Sequence, residues 1–398
     1  MVVTADAQEA LNFEQILQAA LNTHPLVLGK RSSQAAAEAE REGAEWQRYP
    51  SLTLEANTQS SSQDANQSAG MLRIDQPLWS GGRVTADINA ADSRFDAAGA
   101  ALDEARQELT FKVIAAITEA VRQQARQQHG INNVKEHEKL LAMIQRRVEQ
   151  EVSPQVDQSL AASRLYASAS ELSITTQALS NALTQLSQLA GQPVREIDQQ
   201  GLSELGAPDS LDTALADALA YSPTLRRLSF EEKAASADIA SKRAAYLPQL
   251  VLRMENTQGG RVSDNRVMLV LMAQPGAGLS AVSSTDAAFA RREAARMARE
   301  AAVRDVRDRV TLDWNEWVAA RLRLEYADQG RAMSAEVTES YSRQYTAGRK
   351  SWIDVLNAVR EATLAELAAE DARIQMLAAS LRLRELTGTL SGTAATFP

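Results

Sequence analysis

Tyr49-Pro50-Ser51-Leu52-Thr53-Leu54-Glu55-Ala56 returns 198 residues later as Leu247-Pro248-Gln249-Leu250-Val251-Leu252-Arg253-Met254, with the proline and both leucines in place. In each copy a helical pattern stops at the proline and an alternating one begins. Leu52, Leu54 and Ala56 fall on one side and Thr53, Glu55 and Asn57 on the other. Period two marks a β-strand whose faces meet different surroundings. Further matches occur at the same offset: Pro25 with Pro223, Gln76-Pro77 with Gln274-Pro275, and Ala20-Leu21 with Ala218-Leu219. Twice 198 nearly exhausts the 398 residues, so one structural unit is written twice. The period is too long for a solenoid, whose units run from about 20 to 50 residues.

The first repeat is expected over 1–198 and the second over 199–390, with 391–398 as a tail; together they form one continuous unit. Leu11 to Trp46 reads as helix with an early break at Asn22-Thr23-His24-Pro25, because proline disfavours the α conformation in the residue before it. Strands follow near 51–62 and 66–78, separated by the polar run Ser60–Ser68, and in the second copy near 249–258 and 265–274. Residues 83–150 contain no proline; as one helix they span about 100 Å at a rise of about 1.5 Å per residue. A second helix over 154–190 carries Leu165, Leu172, Leu179 and Leu186 at the seven-residue spacing of a coiled-coil seam. Helices over 280–345 and 351–387 repeat the order. Glu151 stands where the second copy has Gly348, so the first copy's interhelical turn is expected to be built differently.

Composition narrows the function. The chain is rich in Ala, Leu, Gln, Glu and Arg and poor in aromatics, as long packed helices are. A net charge of −9 argues against nucleic acid as a partner, since backbone binding needs a basic face. No stretch approaches the roughly 18 apolar residues of a membrane-spanning helix. Met1 to Gln8 lacks the basic and apolar regions of a signal peptide, so the reading expects a cytoplasmic protein or one whose signal has been removed. Cysteine is absent. His24, His129 and His137 supply no three-ligand metal site, and Gly276-Ala277-Gly278 lacks the lysine of a phosphate loop. Trp314 and Trp317 share a helical face and read as packing. No catalytic constellation is legible, and no cofactor or metal is expected.

The strands are the peculiar element in a helical chain. Each is about ten residues long, which suits a tilted strand crossing a bilayer. Leu52, Leu54, Leu72, Ile74, Leu250 and Leu252 fall on apolar faces, with Glu55, Arg73, Asp75 and Arg253 opposite. Val267 to Ala273 is apolar on both faces and fits less well. A small sheet capping a soluble helical bundle accounts for the alternation as well as a membrane barrel does. Four strands cannot close a membrane barrel, so a spanning sheet requires several chains to share one.

This layout resembles the TolC-like outer-membrane factors. The resemblance covers about Leu11 to Leu390 and rests on the repeat, on Tyr49-Pro50 and Leu247-Pro248, and on Gln76-Pro77-Leu78-Trp79-Ser80-Gly81-Gly82. Its most specific part is Tyr345-Thr346-Ala347-Gly348-Arg349-Lys350-Ser351-Trp352-Ile353-Asp354-Val355-Leu356. It implies a mainly α fold: a homotrimer whose long helices form a periplasmic tunnel and whose strands share a twelve-stranded barrel in outer-membrane lipid, with Leu52, Leu54, Leu72, Ile74, Leu250 and Leu252 facing that lipid. The 348 and 153 turns then lie in the periplasm and the Ser60–Ser68 and Asn256–Asp264 loops outside the cell. By motif, Tyr345 and Lys350 fall on the lock positions of the tunnel tip, with Arg349 beside them, and Asp354 on the first acidic position. Asp157 is its counterpart in the first copy. The second acidic position is Asn357, a departure that implies a single acidic ring. Apart from the resemblance, Asp354 also reads as a first-turn acid favoured by the helix dipole.

The implied function is a passive exit duct, coupled through a periplasmic adaptor to an inner-membrane transporter. Its exported cargo is a secreted protein, as in type I secretion, or small toxic molecules. The missing cysteine, which would carry a lipid anchor, favours the former. A soluble periplasmic coiled-coil adaptor or scaffold is the reading from a different class.

Overall fold

The computed structural model describes residues 10–59, 67–198, 207–259, 264–273 and 280–390. The Ser60–Ser68 loop, the connector around 201–208, the glycines at 276–278 and the tail 391–398 lie wholly or largely outside them.

The chain is mainly helical and contains one four-stranded sheet. Its first half comprises α1 (Phe13–Thr23), α2 (Pro25–Trp46), β1 (Ser51–Gln59), β2 (Gln67–Trp79), α3 (Arg83–Glu149) and α4 (Gln155–Ala190). The second half repeats this as α5 (Leu211–Tyr221), α6 (Pro223–Ala244), β3 (Gln249–Gly259), β4 (Asp264–Met272), α7 (Ser280–Thr346) and α8 (Trp352–Leu386). Both α3 and α7 run for 67 residues. Pro25 and Pro223 each open a helix, because a first-turn proline has no N–H to leave unpaired. The residue before each leaves the α conformation and donates its N–H back to the carbonyl of Ala20 or Ala218. Capping boxes at Asn12 and Ser210 start α1 and α5.

Two compact units cut across the two halves. The first draws on Met1–Leu28, Arg106–Ser222 and Val306–Pro398, the second on Gly29–Ala105 and Pro223–Asp305. In the first unit, each half docks its short helix against the end of its last helix. Gly191 ends α4 with φ 67°, and a Cβ there would lie 2.6 Å from Thr23 Oγ1. Gly388 follows α8 with φ 74°, and a Cβ there would lie 2.5 Å from the Tyr221 ring. Ile16, Leu109, Ile114, Ile117, Leu186, Ile374, Leu381 and Leu383 fill this unit's core.

The second unit holds the sheet, antiparallel throughout in the order β1-β2-β3-β4. Register decides which residues share a face. Leu52 pairs with Ile74, Leu54 with Leu72, Ile74 with Met254, and Leu252 with Leu269. Val267, Leu269 and Leu271 of β4 therefore join Leu250, Leu252 and Met254. The strand is apolar on both sides, as the sequence indicates: Val267, Leu269 and Leu271 lie on the common apolar face and Met268 and Val270 on the other. A bulge at Leu78 brings Trp79 opposite Leu250. β4 ends at Met272, and residues 60–62 of the strand expected over 51–62 lie outside the described residues.

Candidate functional site

Two regions carry the residues singled out by sequence: the sheet, and the turn joining α7 to α8.

The sheet separates apolar from charged side chains. On the apolar face Leu54 is 78% exposed and Leu269 62%, both on edge strands. Leu72, Ile74, Leu250 and Leu252 lie on the inner strands and are half-buried by their neighbours. The other face carries Arg253 on Asp75, two contacts at 2.7 and 2.9 Å, and Arg73 on Glu255 at 2.9 Å. A row of large aliphatics facing out, opposite a row of ion pairs, suits a surface with lipid on one side and water on the other. No helix among the described residues is long and apolar enough to cross a membrane.

At the second region Tyr345 and Trp352 are buried, with ring centroids 5.4 Å apart, in one cluster with Leu140, Ile144, Ala161, Val355 and Leu356. The Arg147 guanidinium, from the last turn of α3, lies 4.8 Å from the Tyr345 ring centroid. The Tyr345 hydroxyl and Trp352 Nε1 are buried without a partner among the described residues. Lys350 Nζ sits 4.2 Å from the centroid of Tyr341. Arg349 is exposed, its N–H donating to the Gln344 carbonyl at 2.8 Å to close the turn. Asp354 accepts the Ser351 N–H at 3.1 Å and its hydroxyl at 2.8 Å, while Ser351 Oγ accepts the Asp354 N–H. Those bonds, with Lys350 nearby, hold the Asp354 carboxyl below its ordinary range. Asp354 is thus the acid of a capping box on α8. Asn357 is exposed one turn on. Asp157 occupies the first turn of α4, its N–H donating to the Pro154 carbonyl at 3.0 Å. The geometry gathers Tyr345 and Trp352 with Arg147, and leaves Arg349 and Asn357 facing solvent.

The expectation of a differently built first turn is corrected. Glu151 adopts φ 59°, matching Gly348 at 73°. Its N–H donates to Val148 and that of Val152 to Arg147, as Gly348 does to Tyr345 and Arg349 to Gln344. Two backbone bonds hold the left-handed residue, against a steric cost of roughly 1–2 kcal/mol for a side chain there. Sequence gave Trp352 no role and no sign of Arg147, which reaches this cluster only through the pairing of the two helical hairpins.

Residues 16–192 and 214–389 match the family described as outer membrane efflux protein. A membrane protein from Pseudomonas aeruginosa superposes with a TM-score of 0.82 at 19% identity, over 94% of this chain and 93% of that one. The open-state outer membrane channel MtrE of Neisseria gonorrhoeae gives 0.81 at 18%, over 95% and 89%. The outer membrane protein VceC of Vibrio cholerae gives 0.80 at 15%, over 94% and 96%. At such identities the likeness is one of fold. Among curated protein sequences none matches this chain.

Proposed function

Because the chain belongs to the outer membrane efflux protein family, we propose that it is the outer-membrane exit duct of a tripartite exporter, working as a homotrimer with a periplasmic adaptor and an inner-membrane transporter. The observation that carries this is the sheet: an exposed apolar face, a charged face, and outer strands β1 and β4 with no neighbouring strand among the described residues. In lipid each unpaired backbone group costs several kcal/mol, so β4 of one copy must pair with β1 of the next. Three sheets then share one barrel, with Leu52, Leu54, Leu72, Ile74, Leu250 and Leu252 towards lipid. The helices agree. Leu312, Leu322, Tyr326, Met333 and Val337 expose an apolar stripe along α7, and Val156, Tyr166 and Ile174 do so on α4. Stripes of this extent on a lone chain are surfaces for other copies.

The turn between α7 and α8 is proposed as the constriction, with Tyr345, Lys350 and Arg349 holding it and Asp354 ringing it. Asp157 and Asn357 complete that ring of positions. The cargo is proposed to be a secreted protein; small-molecule efflux is the competing reading, favoured by the family's description. Loss of a secreted protein from the medium of a deletion strain, without drug sensitivity, supports the first, and drug sensitivity alone the second. Planar-bilayer recording tests the duct itself. A detergent-extracted trimer should form channels whose conductance rises in Tyr345→Phe/Lys350→Ser and whose block by multivalent cations weakens in Asp354→Asn. A soluble monomer without channel activity overturns the duct, and unchanged conductance and block overturn the constriction.

A further inference from the structure

A polar seam joins α3 to α8 and then stops being complementary. Arg122 and Arg126 reach Asp371 at 3.6 and 2.7 Å, and His129 Nδ1 lies 3.2 Å from Glu366. Continuing along α3 at helical spacing come Asn133 and His137. Here α8 offers Arg360 in place of another carboxylate, and a cleft of about 300 Å³ opens, walled also by Arg164, Ser168 and Glu171 of α4. Neither Arg164 nor Arg360 makes an ion pair or hydrogen bond among the described residues. Farther along the same helices, Arg126, Arg373 and Arg382 each have one. Leu356 and Leu364 supply an apolar wall.

We propose that this cleft binds a small organic acid, its carboxylate held between Arg164 and Arg360 and its apolar body against Leu356 and Leu364. Guanidinium is the side chain whose planar fork matches a carboxylate with two parallel hydrogen bonds. Asn133, Asn357 and Ser168 also line the cleft. The single carboxylate of the lining, Glu171, balances only one of the two arginines. Burial, then Arg164, depress the His137 pKa, and Glu136 opposes them. A bound carboxylate restores the charged imidazole, so binding takes up a proton. The cleft is built by one chain and stands whether or not that chain forms a duct.

Benzoate is the probe, titrated calorimetrically into the purified full-length protein in detergent at fixed chloride. Saturable binding of one benzoate per chain is expected, weakened tenfold or more in Arg164→Gln and in Arg360→Gln and unchanged in Arg343→Gln. Affinity should rise from pH 8 to pH 6, and that rise should vanish in His137→Gln while binding at pH 8 persists. Arg164 and Glu171 from α4, Arg360 from α8 and Glu136 on α3 are the other charged groups around His137. Absence of saturable binding, binding undiminished in both arginine variants, or sulfate binding as tightly as benzoate each overturns the proposal.

Discussion

Glu385 shows how one side chain can set a pH dependence for the whole unit. It is 3% exposed near the end of α8, and burial pushes its carboxyl up to about 8. In the unfolded chain it ionises near its ordinary 4.5. Between those values unfolding releases a proton, so stability falls as pH rises from about 4.5 to about 8 and levels beyond. Glu385→Gln should flatten that decline, raising the melting temperature at pH 8 while changing little at pH 4.5. Thermal melts across that range check it; a parallel shift at every pH would mean that Glu385 is charged when folded. Burial of a carboxyl of this kind is invisible in sequence, where Glu385 is one more acid in a long helix. Asp354 was more legible, because an acid just past a helix start reads as a first-turn residue, although its capping bonds to Ser351 come only from the structure. Tyr345 was legible only through its motif. Its partner Arg147 is distant in sequence, and pairing of distant helices has no local signature.

Elements were read more completely than contacts were. Helix ends marked by proline and strands marked by alternation could be placed, since both are local patterns. At β4 the sequence reading of two apolar faces holds but cannot say which face is which: a strand with valine and methionine on its charged side gives no alternation, and only its register with β3 assigns the faces. If the common apolar face meets lipid, Leu72→Lys/Ile74→Lys places two charges there, at up to about 2–4 kcal/mol each near mid-bilayer. Loss of membrane-inserted oligomer is the expected result, read by fractionation and detergent extraction. Glycines make a second test. Gly388→Ala drives a methyl into the Tyr221 ring and forces a left-handed alanine, so a loss of about 2–4 kcal/mol is expected. Gly330, within α7, has nothing within 4 Å of its would-be Cβ. Gly330→Ala should instead stabilise by up to about 1 kcal/mol. Melts of the two variants side by side separate close packing from a general intolerance of substitution.

For the whole molecule, repetition carries the design. The halves share element order and helix lengths, yet each compact unit draws on both. Twofold repetition was legible from three prolines at one spacing; the division into units was not, because it depends on which helices pack. The free outer strands have a further consequence, in genetic terms. If β4 of one copy must meet β1 of the next around a closed ring of three, a chain damaged at one outer strand spoils every ring it enters. A variant with Leu269 and Leu271 replaced by proline, which removes ladder donors and stiffens the strand, should therefore be dominant. Expressed equally with the normal chain and mixing at random, it leaves roughly one ring in eight wholly normal. Export in such a mixed strain should fall towards that fraction. A fall of only half would mean that damaged chains are excluded before the ring closes.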